Sequence, residues 1–93
     1  MISTQFLKTY IEAGEEIDAL FYDRDADIRL IHQKLFSFIT PLENQIPTDI
    51  FISGVTAMAI TGSYSDLTHI AKKHHTEVLS YLKVVKERRE RLK

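Results

Sequence analysis

Ile50-Phe-Ile-Ser-Gly-Val-Thr-Ala-Met-Ala-Ile-Thr61 is the stretch on which the fold turns. It holds several β-branched residues and no charge, so its pattern alone admits a buried strand as well as a helix. No other segment of the chain has a strand pattern, and a lone strand leaves its backbone donors and acceptors without partners. We therefore read it as a buried helix, with Ser53, Gly54, Ala57 and Ala59 permitting close approach of its neighbours. Pro47-Thr-Asp49 precedes it, which predicts Thr48 as N-cap and Gly62 as the stop, and a helix over about 48–61.

Upstream, apolar residues recur at three- and four-residue spacing. Phe6, Tyr10, Ala13, Ile17, Leu20 and Phe21 form one stripe, with Glu12, Glu15, Glu16 and Asp18 on the remaining faces, which predicts a helix over about 4–22. Gly14 sits inside it at a cost of about 1 kcal/mol relative to Ala. Asp23-Arg-Asp-Ala-Asp27 breaks the pattern and supplies short acceptors that can cap a second helix, over about 26–39, with the stripe Ile28, Ile31, Leu35, Phe38 and Ile39. Pro41 disfavours helix at the preceding residue, and Thr40-Pro-Leu-Glu43 has the spacing of a capping box opening a short turn.

Downstream, Ser65 and Asp66 are placed to cap a last helix over about 65–92, whose stripe is Leu67, Ile70, Ala71, His74, Val78, Tyr81, Leu82 and Val85. It ends in Lys83-Val-Val-Lys-Glu-Arg-Arg-Glu-Arg-Leu-Lys93, six cations and two anions. At 1.5 Å per residue this helix spans about 40 Å, and its basic tip is expected to overhang the others. The fold class expected is thus all-α, a small three- to four-helix bundle with a long C-terminal helix.

The 93 residues, 44% hydrophobic and 27% charged, suit a single folded domain, 1–93, whose small size leaves stability marginal and association attractive. Net charge is −1, yet residues 1–50 carry four Lys or Arg against nine Asp or Glu, and residues 51–93 carry eight against four. Such a division either pairs acidic and basic helices internally or presents a basic end to an anionic partner. The absence of Cys rules out disulfides and thiolate metal sites. Neither a secretory signal pattern nor an apolar run long enough for a membrane span is found, so a cytoplasmic location is the expectation.

Motifs with chemical content are few. His69, His74, His75 and Glu77 are of metal-binding types, but on one helix His69 and His74 point in nearly opposite directions, so no metal site is expected. Asp23 to Asp27 imitates the start of a calcium loop, but Ile28 stands where glycine is required and Lys34 where the bidentate carboxylate belongs. Asp66 to Val78 has a superficial helix-turn-helix likeness without the turn. His32 and His74 fit satisfied core histidines better than ligands. No nucleophile elbow, phosphate loop or paired carboxylate in an apolar setting appears, so neither catalytic residues nor cofactors are expected.

The functional expectation is a non-enzymatic helical module of the regulator, inhibitor, immunity or adaptor type, binding an acidic surface on a partner protein and self-associating as a dimer through the final helix. Its partner-binding residues are expected to be Lys83, Lys86, Arg88, Arg89 and Arg91, with Tyr81 and Val85. The alternative is nucleic-acid binding by the basic helix. A net acidic chain with no aromatic residue after Tyr81 favours the protein partner.

Overall fold

The computed structural model describes residues 3–92, with the Ser65 side chain and Lys93 outside the described set. Four helices are present, α1 (Thr4–Tyr22), α2 (Ile28–Ile39), α3 (Thr48–Ser63) and α4 (Thr68–Arg91), and no strand occurs among the described residues. Single 3-10 turns, Thr40–Leu42 and Ser65–Leu67, lead out of α2 and into α4. The stretch 50–61 is thus helical.

The caps explain several boundaries. Ser3 Oγ accepts from the Phe6 N–H at 3.2 Å and starts α1. Asp27 Oδ1 accepts from the Arg29 N–H at 2.9 Å, so α2 begins at Ile28, two residues later than expected, and Asp23 Oδ1 accepts from the Asp25 N–H in the preceding turn. Asp23 and Asp27 thus serve the local backbone, and Asp27 also pairs with the Arg29 guanidinium at 3.0 Å. Thr40 does not cap the following turn: its hydroxyl bonds back to the Phe36 carbonyl at 2.7 Å, which leaves the expected capping box unmade. Nor is Thr48 the cap of α3. Pro47 holds that position with no side-chain bond, and Thr48 is already helical.

Gly62 is not a stop either, since α3 runs through it to Ser63. Its use is room: a Cβ there would lie 2.7 Å from Cε1 of His32. The left-handed position of the described chain falls instead on Asn44, φ 65°, in the loop between α2 and α3. The expected Ser65 cap lies outside the described side chains, and α4 starts from Leu67 without a side-chain bond.

Each helix packs on its predecessor and α4 closes on α1, giving an up-down-up-down bundle. The register is legible in cross-helix contacts. Lys34 Nζ meets Glu16 at 2.9 Å between α2 and α1. A Cβ on Gly54 would strike Ile39 of α2 and touch Val78 of α4. Ser53 Oγ donates to Glu77 at 2.8 Å between α3 and α4. Leu7, Leu35, Ile39, Leu42, Val78 and Leu82 are almost wholly buried and form the centre of the core.

Two stripes are rotated from expectation. On α1 the core face is Leu7, Ile11, Gly14 and Ile17, and Phe6 is 61% exposed. On α4 it is Ala71, His75, Val78, Leu79 and Leu82, so His75 rather than His74 is the core histidine. The third helix is half-buried rather than buried, with only Gly54, Ala57 and Thr61 enclosed and Ala59 exposed.

Candidate functional site

Two histidines stitch the bundle together. His75, 1% exposed, donates from Nε2 to the Gly14 carbonyl of α1 at 2.8 Å and lies between the rings of Phe21 and Phe38, at 5.9 and 5.4 Å. Because a carbonyl only accepts, that bond fixes the tautomer. Burial pushes the pKa of His75 below its ordinary 6.5, against the opposing pulls of the Gly14 carbonyl and Asp18. His32, expected as a satisfied core histidine, bonds through Nδ1 to the Met58 carbonyl at 2.9 Å, and Thr61 stands 3.4 Å away. His74 is half-buried, with Nδ1 enclosed and unbonded among the described residues. His69 lies on the outer side of α4. The three α4 histidines thus occupy separate surroundings, and no cluster of three metal-capable side chains occurs among the described residues.

The basic tip does not stand free. Thr4, Gln5 and Lys8 of α1 share a small cleft with Lys86, Arg89 and Glu90, so the first turn of α1 runs beside the end of α4 and the expected overhang shrinks to the last few residues. The expected site residues divide between two faces. Lys83 reaches toward Glu15 of α1 at 4.0 Å, Lys86 pairs with Glu90 at 3.5 Å, and Arg91 pairs with Glu87. These exposed pairs contribute no more than about 1 kcal/mol each. The Lys83 to Glu15 contact realises the internal pairing of acidic and basic halves.

Arg88 turns the other way, with Tyr81 and Val85. These three line a groove of about 760 Å³ along the outer side of α4, together with Ile50 of α3, Val84, Ser80, Lys73 and Glu77. Its apolar floor is Ile50, Tyr81, Val84 and Val85, and Val84 is 43% exposed. Arg88 at one end and Lys73 further along make no ion pair among the described residues. Sequence reasoning found Tyr81, Val85 and Arg88 but missed Ile50 and Val84. Val84 carried a signal, being three residues past Tyr81 and four before Arg88, whereas the contribution of Ile50 depends on how α3 crosses α4.

No described helix is long and apolar enough to cross a membrane. Compared with known proteins, the chain matches no family, no curated protein and no solved structure.

Proposed function

We propose that the chain is a non-enzymatic helical interaction module that holds an amphipathic, acidic segment of a partner protein in the groove along α4. One observation carries this reading: a partly exposed apolar floor of Ile50, Tyr81, Val84 and Val85 lies beside two cations, Arg88 and Lys73, that make no ion pair among the described residues. An apolar groove accepts the apolar side of a helix, and unpaired cations on its rim select acidic neighbours and speed encounter. A cytoplasmic setting belongs to the same reading. Nucleic-acid binding by the tip is less well supported, because its cations point to two faces and Lys86 and Arg91 are held by Glu90 and Glu87.

Affinity capture from native lysate, with and without nuclease, tests the reading when the wild type is compared with Arg88→Glu, Val84→Asp and Arg89→Glu. A stoichiometric protein partner is expected to survive nuclease and to be lost from the Arg88 and Val84 variants. The Arg89 variant should retain it, since Arg89 faces α1. All three are surface changes and should leave stability within about 0.5 kcal/mol of wild type. Retention by Arg88→Glu and Val84→Asp overturns the groove, and loss of the partner on nuclease treatment transfers the reading to nucleic acid.

A further inference from the structure

Asp49 is the one charged side chain of α3. The outward faces of the other helices carry charge, such as Glu12 on α1, Arg29 on α2 and Lys73 on α4. The face of α3 turned away from the bundle, Ile52, Thr56, Ala59 and Ser63 at helical spacing, carries no charge, and Ile52 is 56% exposed. Phe36, 54% exposed, borders this face from α2, lying between His32 and Ile39, which both touch α3. On α4, Glu77 reaches α3 through Ser53 and Lys73 stands one turn before it, and neither makes an ion pair among the described residues.

We propose that this face binds a second copy of the chain, α3 against α3 antiparallel, about a two-fold axis beside Val55 and Thr56. Size is the first reason. The face is large at its start, Ile52, and small toward its end, Ala59 and Ser63, so antiparallel pairing seats each Ile52 over the other copy's Ala59 and places Val55 over Thr56. Charge is the second. Ser53 stands against Glu77 and Gly54 against Val78, so the midpoint of Lys73 and Glu77 is level with Thr56. A two-fold axis at that level sets each Lys73 opposite the other copy's Glu77. The third is Phe36. His32 is level with Met58 and Gly62, and Ile39 with Gly54, which brings Phe36 level with Thr56 and its ring toward its own symmetry mate. Three helices thus place the axis at one height. Of the α4 stripe expected to mediate self-association, Val78 and Leu82 are fully buried within the protomer, while Tyr81 and Val85 lie in the groove.

The chain has no cysteine, so Thr56→Cys introduces one thiol, at the axis. Mild oxidation should cross-link that variant into a dimer, since a disulfide needs Cα atoms within about 4–7 Å, while Ser80→Cys on α4 should stay monomeric. Light scattering at about 100 µM, a concentration that populates even weak dimers, should give twice 10.8 kDa. Ala59→Glu should return the mass to 10.8 kDa with helical content unchanged. Lys73→Glu should weaken association about tenfold through like charges, and adding Glu77→Lys should restore most of it. A wild-type mass of 10.8 kDa at that concentration, or a persistent dimer in Ala59→Glu, overturns the proposal. Should Ala59→Glu fail to fold, equal cross-linking of Thr56→Cys and Ser80→Cys overturns it instead. Thr56 and Ala59 lie outside the groove on α4, whereas Lys73, Glu77 and Ser80 line it, so the Thr56→Cys and Ala59→Glu readouts separate this proposal from the groove reading.

Discussion

His75 concentrates more of the fold's chemistry than any other side chain. It is enclosed by Phe21 and Phe38, its Nε2 proton is committed to Gly14, and burial holds its pKa below 6.5. In the unfolded chain the same residue takes up a proton below about pH 6.5, where the folded chain resists it. The unfolded state then binds more protons, so stability present above pH 6.5 is lost as pH falls through that value toward the folded pKa. Thermal midpoints measured between pH 7.5 and 5.5 should decline in the wild type and decline less in His75→Gln, which stays neutral while able to donate to Gly14. Equal slopes in the two proteins would remove His75 from the account. In the sequence, His74 and His75 differ by 100° of helix, and the stripe through Ile70, Val78 and Tyr81 points to the former. Counting from Ala71, Leu79 and Leu82 gives the latter. Apolar residues on both flanks made the stripe wider than the buried face, and only the position of α1 decides between them. The same ambiguity displaced Phe6 in favour of Leu7.

Helix spans were read more closely than helix orientations even where the expected caps at Thr40 and Thr48 and the stop at Gly62 were not used, because a break in the apolar period is local whereas faces depend on neighbours. The predicted spans 4–22 and 48–61 fall within two residues of Thr4–Tyr22 and Thr48–Ser63. The use of Gly54 was also legible, since a glycine in mid-helix costs stability unless something occupies its missing side chain. What occupies it is Ile39, whose Cδ1 would lie 2.2 Å from an added Cβ and Cγ1 2.7 Å. Gly54→Ala should therefore lower stability by about 1–3 kcal/mol through overpacking, offsetting the usual gain from alanine in a helix. Pairing it with Ile39→Val, which removes Cδ1, should recover part of the loss. Urea midpoints of the two single variants and the double variant check this, and a stabilised Gly54→Ala would mean that α2 and α3 separate freely at their crossing. The groove on α4 was half legible for the same reason. Its residues on one helix, Tyr81, Val85 and Arg88, follow from spacing, but Ile50 enters only through the α3 to α4 packing.

At the scale of the molecule, successive helices pack on one another and the closure of α4 on α1 completes the ring. That closure sets Thr4 and Gln5 in one cleft with Arg89 and Glu90. The order in which the helices are strung is then separable from the bundle they make. A circular permutant that links residue 92 back to residue 3 through about six Gly and Ser residues, a tether reaching about 14 Å, and opens the exposed loop at Asn44 keeps every helix and every interhelical packing. It should retain the helical spectrum of the parent, with its melting midpoint lowered only by the loosened turn around Asn44. The bundle is in this sense a closed circuit, and the polypeptide that encodes it has an interchangeable starting point.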